Sequence, residues 1–217
     1  MKFLKNRKIA LLITIAIIVF STLAGVHLTV SNGTQAVERL FYDGIYLENE
    51  GYTQPSIDEQ LTGIAENTLA LAAILLNYPE HEEVAGQLLS ARRGLLDAQR
   101  IAEKGPAYDA LQTVYRQYDW TELEAQISDR RIFDVARTSL STVSGAMIFI
   151  AEYFDASLIN PPRGNVRGLS ARYNGEVTVF IDGQSALTRV IGAFVPARLP
   201  DYFDGFSVYQ IPFQPLQ

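Results

Sequence analysis

Histidine is the usual base at neutral pH, and outside the apolar N-terminal run the chain has one, His81, set among Glu80, Glu82 and Glu83. A zinc protease helix would need a second histidine four residues on, and position 85 is alanine, so His81-Glu82 is half of such a motif. The flanking glutamates are explained by the dipole at the start of a helix. Ser144-Gly145 is not part of a Gly-x-Ser-x-Gly elbow and falls inside a helical core stripe, where a hydrolase nucleophile does not sit. Glu122 with Glu124, or Asp58 with Glu59, could form an acid–base pair, although solvated helix faces carry carboxylates at the same spacing. Arg92-Arg93 and Arg130-Arg131 read as surface ion-pair partners, with Arg93 and Asp97 placed i to i+4. Neither a phosphate loop nor a dinucleotide fingerprint is present, since Gly164 and Gly168 flank a Pro-Pro loop instead of following a strand. The expectation is no catalytic residue, no metal and no cofactor.

These side chains would be positioned by helices, and the first is apolar. Residues 9–30 carry no formal charge, and thirteen of the 22 are Ile, Leu, Val or Phe. At roughly 0.3 to 0.6 kcal/mol each, insertion into a bilayer is favoured by about 4 to 8 kcal/mol before polar costs. A cleaved signal peptide is the competing reading, with Thr22-Leu23-Ala24 as its processing site, but its apolar region spans only about 7 to 15 residues. Lys2, Lys5, Arg7 and Lys8 precede the run, which places residues 1–8 in the cytoplasm, residues 9–30 in lipid and the domain outside. His27 stands near the outer end, where a polar ring reaches the headgroups.

With those four basic residues removed, 14 remain against 24 acidic ones, a net charge of −10. Nucleic acid is not a partner for such a surface. The chain has no cysteine, so packing alone must stabilise it.

Beyond the span the pattern is all-α, an antiparallel bundle of about four long helices over residues 31–203 with an irregular tail over 204–217. Val37, Leu40, Phe41, Gly44 and Leu47 extend the first helix to about residue 50, and Gly51 to Pro55 break it. Ser56 with Glu59 makes a capping box for a helix whose stripe is Ile57, Leu61, Ile64, Thr68, Leu71, Leu75 and Tyr78. Asn77-Tyr78-Pro79 starts the next, carried by Val84, Leu88, Ala91, Leu95, Ala98 and Ala102 to a stop at Gly105-Pro106. Tyr108, Leu111, Tyr115 and Tyr118 mark a shorter helix, and Asp119 caps a segment from Trp120. Phe133, Ala136, Leu140, Val143, Met147, Ile150 and Phe154 form a bundle-core stripe, apolar on nearly all faces from Gly145 to Ala151.

Asn160-Pro161-Pro162-Arg163-Gly164 breaks the chain; a helix resumes near Val166 and runs to about Asp182, and a short apolar one spans 186–194. Four prolines after Val195 exclude regular helix. The tail's Tyr202, Phe203, Phe206, Tyr209 and Phe213 either cover a groove on the bundle or form a partner-binding motif.

In order, four stretches resemble the bacterial LemA family. Leu40-Phe41-Tyr42-Asp43-Gly44 with Ser56-Ile57-Asp58-Glu59-Gln60-Leu61 is similar to its first conserved segments, and Tyr78-Pro79-Glu80-His81-Glu82 with Ala91-Arg92 and Leu95 to the next. Ala171-Arg172-Tyr173-Asn174 with Val177 and Phe180 looks like the family's tyrosine-asparagine helix, and Val190-Ile191-Gly192-Ala193-Phe194 with Tyr202-Phe203 like its close. Thr62-Gly63 and Phe180-Ile181 depart from the pattern, as in a divergent member. The resemblance implies an anchored bacterial envelope protein with a helical bundle and no established enzymatic activity. Family members are often encoded beside membrane proteases or TPM-domain proteins, which implies an accessory or scaffold role. The alternatives are a carboxylate-dependent envelope hydrolase and a structural homo-oligomer.

Overall fold

The computed structural model describes residues 7–48, 51–151, 168–205 and 211. The chain is all-α. Its helices are α1 (Arg7–Tyr42), α2 (Ile57–Leu75), α3 (Glu82–Asp97), α4 (Ile101–Gln117), α5 (Trp120–Gln126), α6 (Arg130–Ile150), α7 (Leu169–Gly183) and α8 (Ala186–Gly192). A two-stranded antiparallel hairpin, β1 (Ile45–Leu47) and β2 (Tyr52–Gln54), pairs Ile45 with Gln54 and Leu47 with Tyr52. Two compact units emerge. One gathers α1 up to Glu38 with Glu176–Pro200; the other runs Arg39–Gly175 and resumes at Asp201.

In the first unit α1 is long and apolar enough to cross a membrane. Leu11, Leu12, Ile17, Ile18 and Phe20 are exposed, as side chains facing hydrocarbon would be. The hydroxyls of Thr14, Thr22 and Thr29 donate to the carbonyls of Ala10, Ile18 and Gly25 at 2.8 to 2.9 Å, so these polar groups are satisfied within the helix. Further along, a methyl at Gly33 would run into the Phe180 ring, and Thr34 Oγ1 donates to the Arg198 carbonyl at 2.8 Å.

The second unit is organised by α2, which packs on α3 and on α6, while α3 packs on α4. The Ser56 side chain accepts from the Glu59 amide at 3.0 Å and starts the helix as its sequence requires. Ile57, Leu61, Ile64, Ala65, Leu71, Ala72 and Leu75 are buried along it. Thr68 lies in that apolar surface without penalty. Its hydroxyl donates to the Ile64 carbonyl at 2.7 Å, so the Tyr115 hydroxyl, 2.8 Å away, must be the donor of the second bond. Trp120 stacks on Tyr115 at 5.3 Å and donates to its carbonyl at 3.0 Å. On α6 the expected stripe from Phe133 to Ile150 is buried, capped by Asp129, which accepts from the amides of Arg131 and Ile132. Phe154 lies outside the described residues.

Several local expectations are corrected. Helix α1 stops at Tyr42 because Gly44 adopts a φ of +77°, and the chain turns into the hairpin where a helix to residue 50 was expected. Asn77 does not start α3; its side chain donates to the carbonyls of Ala73 and Ile74 and closes the end of α2, and Pro79 instead opens a 3-10 turn, Pro79–His81. The break between α3 and α4 falls at residues 98–100, with Pro106 inside α4. Glu103 explains this. Its carboxylate accepts from the amides of Gln99 and Arg100 at 3.1 Å and from the Arg100 guanidinium at 2.8 Å, and this capping box begins a new helix ahead of the proline. From Gly145 to Ala151 one face is buried, through Ala146, Met147 and Ile150, while Gly145 is exposed.

Gly44 is the residue that this geometry constrains most. A β-carbon there would collide with the Gln54 carbonyl oxygen at a φ that L-residues avoid. Gly44→Ala is expected to destabilise the full chain by about 1 to 3 kcal/mol, read from unfolding of detergent-solubilised protein through its single tryptophan, the buried Trp120. An unchanged midpoint would show that the hairpin turn does not hold this conformation.

Candidate interaction surfaces

Of the five aromatic residues expected to contact a partner, Phe206, Tyr209 and Phe213 lie outside the described residues. Tyr202 is exposed. Phe203 is fully buried, and its ring is spent on packing within the chain. It lies edge-on to Phe41 at 5.5 Å and stacks on Tyr108 at 6.0 Å, and Tyr173 meets Phe41 at 5.6 Å.

The backbone around Phe203 is held as firmly as its ring. Asn174 donates to the Phe203 carbonyl at 2.8 Å and accepts from the Phe203 amide at 3.0 Å, imitating a β-ladder pair with a single side chain. The Tyr173 hydroxyl donates to the Asp201 carbonyl at 2.9 Å. A methyl at Gly105 would lie 3.2 Å from the Asp204 backbone nitrogen, and one at Gly205 would strike the rings of Phe203 and Tyr108. Further on, the Ile211 amide donates to Ser144 Oγ at 3.4 Å and its side chain is buried. At these described positions the C-terminal segment is docked. Asn174 stands in a stretch quoted for the family resemblance, but its role as a receptor was not read there; a short amide beside Tyr173 on an inward side of the helix is the signal that could have found it.

Ser144 is half-buried, beside the core stripe of α6 and not within it. With Arg137, Leu140, Ser141, Ile148 and Ile211 it lines a cavity of about 350 Å³. Among the described residues, no histidine or carboxylate lines it.

Several of the residues with chemical potential are engaged within the chain, while Glu59 and Glu122 are exposed. His81 is buried, with Nε2 2.8 Å from the Gln126 side-chain oxygen, an acceptor, so that nitrogen carries the proton. Its ring meets Tyr118 edge-on at 5.5 Å. Asp58 is ion-paired with Lys104, whose ammonium also lies 5.7 Å from the Phe41 ring. Arg93 pairs with Asp97 at 3.5 Å as expected, but Arg92 reaches across to the Ala65 carbonyl at 2.8 Å and ties α3 to α2. Among the described residues no group of three or more His, Asp or Glu side chains comes together as a metal site.

Burial pushes the phenols of Tyr108, Tyr115 and Tyr118 above the ordinary tyrosine range; the carboxylates of Glu122, Asp119 and Glu80 add to the effect at Tyr118. A hydrogen bond from the Thr121 side chain holds the Asp119 carboxyl below its usual range, as one from Arg100 does for Glu103.

Two predictions follow from this geometry. Phe203→Ala is expected to cost about 3 to 5 kcal/mol, and Asn174→Ala about 1 to 3 kcal/mol for the two backbone groups it strands. Both are measured by denaturant unfolding, with earlier proteolytic cleavage near residue 203; wild-type cleavage kinetics in both variants would show the segment undocked. The phenols dictate alkaline behaviour. The unfolded chain would release these protons near pH 10, whereas the folded one keeps them, so the stability they confer is intact below that pH and falls as pH rises beyond it. Titration at 295 nm should therefore show three of the eleven tyrosines ionising late, together with loss of structure; eleven phenolates forming near pH 10 in folded protein would contradict it.

Compared with known proteins, the chain matches no family model, no curated protein and no solved structure.

Proposed function

We propose that the chain is a LemA-like single-pass protein of the bacterial cell membrane. Its N-terminus is cytoplasmic, its helical domain lies outside, and it acts without catalysis as an accessory or scaffold for an envelope protein partner, of which membrane proteases and TPM-domain proteins are the classes that the resemblance implies. The observation that carries this reading is α1. A single helix of 36 residues contains the whole uncharged run, with Arg7 and Lys8 at its start, the arrangement of an anchor inserted with its basic end inside.

Two further observations support it. Phe41, Tyr173 and Phe203 belong to three of the four stretches that resemble the LemA family, and they meet in one aromatic cluster although up to 162 positions separate them. Two of the residues that a hydrolase would employ are held in contacts within the chain: His81 with Gln126, Asp58 with Lys104.

The test is photocrosslinking in cells from probes replacing Leu69, Val135 and Tyr202, all large and exposed side chains. Crosslinks from the full-length chain to a single heterologous membrane protein are expected, and mass spectrometry would identify it. Crosslinks only between copies would replace this reading with a structural homo-oligomer, and their complete absence would end the scaffold reading.

A further inference from the structure

The unit formed by α1 up to Glu38 and Glu176–Pro200 carries an apolar surface that its own fold leaves bare. No residue of α8 is buried. Leu187, Val190 and Phe194 are 65, 61 and 85% exposed, and their i, i+3, i+7 spacing puts them along one side of α8 and the turn after it, where the Phe194 amide donates to the Ile191 carbonyl at 2.9 Å. A surface of this size on a short element in water calls for an occupant.

The height of this segment along α1 identifies one. Twenty-two residues of uncharged helix rise about 33 Å at 1.5 Å each, against a hydrocarbon core of about 30 Å, so the outer edge of the hydrocarbon falls close to Val30. Val30 is buried and shares a cavity of about 350 Å³ with Ile181, Arg189, Ala197 and Leu199. Gly33 receives the Phe180 ring, and Thr34 holds the Arg198 carbonyl. Residues 30 to 34 rise through only about 6 Å, which is the depth of one headgroup layer. The segment is thus fastened to the span at the level of the lipid headgroups.

Charge points the same way. Residues 183–199 contain Arg189 and Arg198 and no acidic residue of their own, in a chain whose part beyond the basic N-terminus is strongly acidic; Arg189 pairs with Asp182 just before the segment at 3.5 Å with both side chains still exposed, and Arg198 is exposed. Arginine beside large apolar side chains is the composition of an element lying in an anionic membrane interface.

We infer that residues 183–199 are a second membrane contact, an interfacial element that inserts Leu187, Val190 and Phe194 at the headgroup–acyl boundary of the leaflet from which α1 emerges. The occupant of the bare surface is lipid with anionic headgroups. This inference rests on the reading of α1 as a membrane span. It fixes the rotation of the anchor helix in the membrane plane, because Gly33 and Thr34 must face the inserted segment.

The chain has no cysteine, so single substitutions give unambiguous labels. Full-length protein with a nitroxide at Leu187→Cys, Val190→Cys or Phe194→Cys is reconstituted in nanodiscs containing phosphatidylglycerol, and collision rates with oxygen and with a water-soluble nickel chelate are measured. Ile17→Cys in the middle of the span and Val135→Cys on α6 provide the lipid and aqueous references. The oxygen-to-nickel ratio at all three test positions is expected to lie several-fold above that at Val135 and below that at Ile17. A ratio equal to that at Val135, with Ile17 reading as lipid, overturns the inference and leaves the anchor standing. Shielding from both reagents would overturn it in favour of a protein occupant, and an aqueous reading at Ile17 would overturn the anchor as well.

Discussion

Helix α2 carries apolar side chains over too much of its circumference to be covered from one side. Ile57, Leu61, Ile64, Leu71 and Leu75 are joined in burial by Ala65, Ala72 and Ile74, and the helix is accordingly clasped by α3 and α6. The rest of its unit follows from that demand. The connection after α2 is short, so α3 folds back alongside it, with Arg92 tied to the α2 backbone. Thr68, a buried hydroxyl of α2, is donor to Ile64 and acceptor from Tyr115, which brings α4, and Trp120 of α5 stacked on Tyr115, into the same core. No buried polar atom of this contact is left to oppose the packing.

The docked C-terminal segment meets a different requirement. A stretch with several prolines cannot bond to itself, so its backbone groups need outside partners if its aromatic residues are to be buried. Asn174 serves both groups of Phe203, and Tyr173 serves Asp201. The aromatic cluster of Phe41, Tyr108, Tyr173 and Phe203 therefore depends on two polar side chains of α7 as much as on ring contacts. A groove-covering tail and a partner-binding motif have the same composition; the difference between them lies in whether receptors of this kind exist.

In the unit that contains most of α1, the proposed solvent is the organising constraint. Side chains of α1 that would be a liability in water suit hydrocarbon, and Thr14, Thr22 and Thr29 are satisfied within the helix. On the proposed reading of α1 as a span, the segment after α7 shares that logic at its boundary, since the residues of α1 that it touches, Val30, Gly33 and Thr34, would lie where hydrocarbon gives way to headgroups.

Sequence alone determined whatever depends on a helix's own period. It held the stripes of α2 and α6, the Ser56 and Asp119 caps, the Arg93–Asp97 pair, the short helix near 186 and the apolar span. Each is set by side chains within about a turn of one another, or by composition over a window. It misplaced the end of α1, the partner of Asn77 and the break before α4, because a glycine or a proline marks several possible stops. The choice among them fell to contacts made elsewhere: the Gln54 carbonyl close over Gly44, and the Glu103 carboxylate reaching back to Gln99 and Arg100. The fate of Phe203 and of His81 was likewise undecided until the fold brought Asn174 and Gln126 to them across 29 and 45 positions. A hydrogen bond over that separation has no period and leaves no trace in the local pattern, so only the tertiary structure could decide it.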